Sequence, residues 1–132
     1  MLSRPCFNKF ILVVDDNDTN REIAIGLLNN FGCRADSVEN GQEAVEKVKL
    51  NRYDLILMDC QMPIMDGFQA TAIIRRMERD KDLPQRTPIY AITGNVQGQD
   101  QDKCLKGGMD GYIGKPFTQE DIRSLLENIS GK

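Results

Sequence analysis

The 132-residue chain contains no histidine. Without an imidazole, no Ser-His or Cys-His nucleophile pair can form, and the common zinc sites lose their nitrogen ligand. Cysteine adds little, because none of Cys6, Cys33, Cys60 and Cys104 forms a C-x-x-C pair. Free thiols in a reducing compartment are the expectation. No apolar run approaches the ~20 residues of a membrane span. The first six residues lack the apolar core of a signal peptide, and no basic run exceeds Arg75-Arg76. With a net charge of -3 and a pI near 5.0, these absences argue against nonspecific binding to nucleic acid or anionic membrane. A cytoplasmic location is the default expectation.

What is present suits one globular domain: 40% hydrophobic and 28% charged residues, enough to bury one core. Apolar runs alternate with amphipathic segments five times. Strands are expected at 10–14, 34–38, 54–58, 88–93 and 111–114. Helices are expected at 18–31, 40–50, 68–79 and 98–106, with a fifth starting at Thr118, a good N-cap. In the first helix Ile23, Leu27, Leu28 and Phe31 keep helical spacing, and Ile122, Leu125, Leu126 and Ile129 do so in the last. The fourth helix is almost wholly polar. Strands alternating with helices imply an α/β fold, a parallel sheet covered on both faces. The domain is drawn at residues 9–130, with 1–8 as a tail or the end of a linker.

The first and third strands stop on acids. Asp15-Asp16 follows Phe10-Ile11-Leu12-Val13-Val14, and Asp59 follows Leu55-Ile56-Leu57-Met58. In a parallel α/β sheet, sites form outside the carboxyl ends of the strands, where the strand order reverses. That rule gathers Asp15, Asp16, Asp59, Thr93 and Lys115 at one edge. Carboxylates 4 Å apart repel by about 4 kcal/mol per pair at an effective dielectric near 20, so a divalent cation would relieve the cluster. Oxygen ligands of this kind suit Mg²⁺. Lys115 offers a positive charge and Thr93 a hydroxyl to an anion, and an aspartate can be the nucleophile in phosphoryl transfer, giving an acyl phosphate.

Four motifs in order carry a family resemblance: Val13-Val14-Asp15-Asp16, the run from Met58 through Asp59 and Pro63 to Gly67, Ala91-Ile92-Thr93-Gly94, and Lys115-Pro116-Phe117. Over about residues 9–130 the chain resembles the response-regulator receiver domains of two-component signalling. The resemblance implies a flavodoxin-like, three-layer (βα)5 fold with strand order 2-1-3-4-5. It implies that Asp59 is the phosphoacceptor. Asp16 and Asp59 would ligate Mg²⁺ directly with the Gln61 backbone carbonyl, and Asp15 would act mainly through water. Thr93 and Lys115 would contact the phosphoryl oxygens. Tyr112 matches the aromatic that swings inward when the threonine engages phosphate, so the face built by the fourth helix, fifth strand and fifth helix would carry the signal. Such a domain would catalyse its own phosphorylation and dephosphorylation but hold no kinase site.

The stretches Asp16-Asn17-Asp18-Thr19-Asn20-Arg21 and Gly107-Gly108-Met109-Asp110-Gly111-Tyr112 look most like receivers of hybrid sensor histidine kinases. The expected partner is therefore a histidine kinase or a histidine phosphotransfer domain. The phosphate-donating histidine lies outside these residues, and the parent protein is open to being membrane-anchored. Direct nucleic-acid binding and membrane contact by this domain are not expected. A free-standing regulator remains an alternative, and monomer against phosphorylation-driven dimer is left open. From other classes, a flavin mononucleotide carrier would need a hydroxyl- and glycine-rich loop where Asp15-Asp16-Asn17-Asp18 stands. An aspartyl phosphatase would want an acid where Gln61 stands.

Overall fold

A lone strand cannot satisfy its backbone hydrogen bonds, and the five pair into one parallel sheet, with the mostly apolar strands Phe10–Val14, Leu55–Asp59 and Ile89–Thr93 at its centre. The computed structural model describes residues 7–60, 62–81, 83, 86–93, 105–114 and 117–130. The strands are β1 (Phe10–Val14), β2 (Arg34–Val38), β3 (Leu55–Asp59), β4 (Ile89–Thr93) and β5 (Gly111–Gly114). Among the described residues there are four helices, α1 (Asp18–Asn30), α2 (Gly41–Leu50), α3 (Gly67–Arg79) and α4 (Gln119–Ser130). The sheet order is β2-β1-β3-β4-β5, all parallel, as the flavodoxin-like reading expects. Leu105 and Lys106 are helical, but the rest of the polar helix expected at 98–106 lies outside the described residues.

Residues alternate between the two faces of a strand, and the two faces bury separate cores. Leu12, Val14, Ile56, Met58, Ile89 and Ala91 meet Val45 and Val48 of α2 and Ala70 and Ile74 of α3. On the other face Ile11, Val13, Leu55, Leu57 and Ile92 meet Ala24 and Leu28 of α1 and Ile122, Leu125 and Leu126 of α4. Strands buried on both sides read as unbroken apolar runs, which is why β1 and β3 carry no polar residue before their terminal acids.

The helix ends follow local chemistry. Asn17, Asn40 and Asp66 accept hydrogen bonds from the third-residue amides of α1, α2 and α3. Asp66 and Gln69 complete a reciprocal capping box, and Thr118 with Asp121 forms another at α4. Gly32, at φ 76°, ends α1: its N–H reaches Asn29 O and the Cys33 N–H reaches Leu28 O, 3.0 Å each. That is the paired C-terminal motif for which glycine is favoured.

One expectation needs correction. The helical spacing that groups Ile23 with Leu27, Leu28 and Phe31 does not bury it; Ile23 is 49% exposed. The buried stripe of α1 runs through Ala24, Leu28 and Phe31, at i, i+4 and i+7. Ile23 stands about 100° around the helix from Ala24. The third strand also begins at Leu55 and extends to Asp59, so the acid is the last strand residue rather than the first of the loop.

Candidate active site at the sheet switch point

The chain crosses from β1 to either side of the sheet, so the strand order reverses there. Val14 pairs in register with Met58, which sets the following residues, Asp15 and Asp59, side by side. One carboxylate oxygen from each of Asp15, Asp16 and Asp59 lies within 4.8 Å of the others. Asp15 and Asp59 are buried, at 1% and 5% exposure, whereas Asp16 is exposed. The cluster thus has a protected floor and one acid open to solvent. Thr93 ends β4, the next strand, and is buried at 5%. The sequence therefore placed Asp15, Asp16, Asp59 and Thr93 at one edge, and the structure brings the three acids together there. Gln61 and Lys115 lie outside the described residues. Tyr112 is half-buried on β5, in register with Ala91, and packs against the core shared with α3.

Local contacts hold the first acid. Asp15 Oδ1 accepts from the Asn17 N–H at 2.9 Å, and the Arg21 guanidinium donates to Asp15 O at 2.6 Å. Arg21 also pairs with Asp18 and lies 3.8 Å from Glu39. It thereby ties the first turn of α1 to the end of β1, a role the sequence did not single out. A cation three residues beyond the acidic run, at i,i+3 from Asp18, was the available signal.

The loop after β3 is pinned at both ends. The Gly67 N–H donates to Cys60 O at 3.2 Å, and the Gly41 N–H donates to Met65 O at 2.9 Å. A Cβ on Gly67 would stand 2.2 Å from Asp59 O and 2.9 Å from Met58 Cγ. Only glycine lets α3 start this close to the site. Between these anchors Ile64 adopts φ 69°, a conformation a β-branched residue rarely takes, and its side chain is 75% exposed. The remaining thiols are unremarkable in chemistry: Cys33 and Cys60 are buried and unbridged, while Cys6 and Cys104 lie outside the described residues.

Three carboxylate oxygens within 4.8 Å, two of them from buried residues, form a hard, anionic donor set. At that spacing each pair repels by about 3.5 kcal/mol at an effective dielectric near 20. The donors fit a Mg²⁺ ion, which takes one or two carboxylates and completes its shell with water and phosphate oxygens.

Residues 11–127 match the family model described as "Response regulator receiver domain". The chain belongs to this family. As a receiver domain of two-component phosphorelay signalling, it is 42% identical over 120 residues to hybrid signal transduction histidine kinase L of Dictyostelium discoideum, matching 89% of this chain and 7% of that protein. It spans between 3% and 18% of the lengths of eight curated relatives it matches. Among solved structures, it resembles the receiver domain of a Pseudomonas aeruginosa sensor histidine kinase, a structure with magnesium coordinated in the active-site cleft. That match has 37% identity and a TM-score of 0.84, and covers 95% of this chain and 99% of the other. It also resembles the receiver domain of a Saccharomyces cerevisiae response regulator, co-crystallised with a histidine phosphotransfer protein. There the identity is 26% and the TM-score 0.87, covering 99% and 92% of the two chains.

Proposed function

We propose that this receiver domain accepts a phosphoryl group on Asp59 in a Mg²⁺-dependent transfer from a phosphohistidine on another domain. The observation that carries this reading is the convergence of Asp15, Asp16 and Asp59 within 4.8 Å at the switch between β1 and β3. An Asp59 carboxylate oxygen forms the new O–P bond as the P–N bond of phosphohistidine breaks. The imidazole leaves with the electron pair and is neutral once its proton balance with water is restored. The product is an acyl phosphate, which water later hydrolyses. Asp16 and Asp59, with the Gln61 backbone carbonyl, would hold Mg²⁺, and Asp15 would act through its water shell. The bound ion would offset charge on the carboxylates and the phosphoryl oxygens.

The Thr93 hydroxyl and the Lys115 ammonium are assigned to the same oxygens. Thr93 ends the strand beside Asp59, and Lys115 follows β5 in sequence. Thr93 moving toward the phosphoryl group would vacate space that Tyr112 enters, altering the face around β5 and α4. The functional unit is residues 9–130, with 1–8 as tail. The parent is a hybrid sensor histidine kinase, the phosphodonor is its kinase or a histidine phosphotransfer domain, and the location is cytoplasmic. Among the described residues no helix is long and apolar enough to cross a membrane.

The test is incubation with Mg²⁺ and acetyl phosphate, comparing the unaltered chain with Asp59→Asn. One phosphate per chain on the former and none on the latter is expected. Equal labelling would end the proposal.

A further inference from the structure

Away from the acidic edge, the chain builds a basic cleft. It has a volume of about 880 Å³ and lies between the C-terminal half of α3, the segment before β4 and the Gly107-Gly108 turn before β5. Arg75, Glu78, Arg79, Lys81, Arg86 and Lys106 supply its charged lining. Among the described residues, five cations and one acid line this concavity, in a protein whose net charge is -3.

Two of these cations are committed to the fold. Arg75 is buried, and it donates to Gly108 O and Thr87 O at 2.8 Å each, to Glu78 at 2.7 Å and to Asp110 at 3.0 Å. Arg86 pairs with Asp110 at 2.7 Å. Arg79, Lys81 and Lys106 are exposed and make no ion pair among the described residues. Their charge is left to solvent around a rigid floor. That floor is close-packed: Gly108 sits at φ 100°, where a Cβ would come within 3.1 Å of Arg75 Cγ. Lys81 is itself held at φ 64°, in the turn after α3. Ala72 and Leu83 give the wall a small apolar surface.

We propose that this cleft binds a small ligand carrying two or more phosphates, of nucleotide size. The volume lies within the ~300–1,000 Å³ typical of small-molecule sites. Three unpaired cations suit a compact polyanion, and the guanidinium of Arg79 matches phosphate geometry. A long polyanion such as nucleic acid is disfavoured, because the chain as a whole carries 20 acids against 17 cations, so that beyond the cleft it would meet net negative charge. The site is separate from Asp59, so its fate and that of the phosphoacceptor reading are independent.

The test is calorimetric titration in EDTA with ATP, tripolyphosphate, adenosine and a 12-nucleotide single strand as probes. Amide NMR signals of Gly107 and Gly108 are followed in parallel. EDTA removes any metal bridge to the acidic edge. Saturable, one-to-one binding of ATP and tripolyphosphate is expected, with those amides shifting and adenosine inert. Tighter binding of ATP than of tripolyphosphate supports a nucleotide seated on Leu83, and equal binding supports recognition of phosphates alone. The double variant Arg79→Gln/Lys106→Gln should weaken binding about tenfold or more, with thermal unfolding unchanged because both side chains are exposed. Lys81→Gln provides a second, independent reduction. Unsaturable binding, undiminished affinity in the variants, or tighter binding of the oligonucleotide than of ATP overturns the proposal.

Discussion

Gly67 shows how little room surrounds Asp59. A methyl group there meets the Asp59 backbone at 2.2 Å, and backbone cannot swing aside as a flexible side chain can. Gly67→Ala is expected to cost about 2–3 kcal/mol by urea unfolding, as overpacking does in a dense core. It should also slow acetyl phosphate labelling more than tenfold by displacing Asp59. The acids themselves predict an opposite stability effect. Without metal, Asp59→Asn removes one charge from a cluster whose pairs repel by about 3.5 kcal/mol each at 4.8 Å. The metal-free variant should therefore unfold at a higher temperature than the unaltered chain. A lower unfolding temperature in calorimetry would mean that the contacts Asp59 makes with the protein outweigh the repulsion within the cluster.

At the scale of elements, two polar links join parts that are distant in sequence. Tyr53, just before β3, donates to Asp36 of β2 at 2.7 Å, across the intervening β1. Burial, then the Asp36 contact, pushes its hydroxyl well above the ordinary tyrosine range near pH 10. The folded state thus favours the protonated phenol. Its contribution is full below about pH 10, where unfolded tyrosine also keeps its proton, and declines as pH rises further toward the folded value. Urea midpoints measured from pH 8 to 11 should fall above pH 10, and the fall should be shallower in Tyr53→Phe.

The second link is Arg75, which fastens α3 to the start of β4 and to the turn before β5. Its side chain is 10% exposed, beside Glu78 at 9%. Arg75→Met leaves Glu78 near the interior without its cation, while Asp110 keeps Arg86, and should cost about 3 kcal/mol, the low end of the range for breaking a buried pair. Arg75→Lys restores the charge but not the planar fork, so urea unfolding should show only partial recovery.

For the whole molecule, the proposed metal binding and partner docking both make predictions about one sheet edge. A cation that binds only the folded state raises stability by about 2.7 kcal/mol at a hundredfold excess over its dissociation constant. Millimolar Mg²⁺ should raise the melting temperature by several degrees, and EDTA should reverse the rise. Asp16→Asn should shrink the effect. The proposed transfer requires a phosphohistidine to reach the acidic edge, and Ile23 on α1 and Ile64 in the loop after β3 are large apolar side chains left exposed. Ile23→Lys should reduce the rate of transfer from a histidine phosphotransfer protein about tenfold, in line with loss of one interface anchor. Labelling by acetyl phosphate should be unchanged, which separates docking from chemistry.

Most elements were legible because their signals are local. Unbroken apolar runs, helical spacing, and a cap such as Thr118 operate within a few residues. The order of the acids, Thr93 and Lys115 along the chain likewise pointed to phosphoryl chemistry before any coordinates. Tertiary structure decided matters that depend on residues far apart in sequence. It set Asp15 and Asp59 as buried and Asp16 as exposed, because the register of β1 on β3 seats two of the acids inside and leaves the third at the rim. It buried Arg75 while leaving Arg76 in solvent, a distinction between neighbours that only their partners on β4 and before β5 can make. It also turned Ile23 outward by choosing Ala24 for the core stripe. Periodicity tells which residues share a face, but which face is covered, and which charge finds a partner there, is determined by contacts that close only when the sheet assembles.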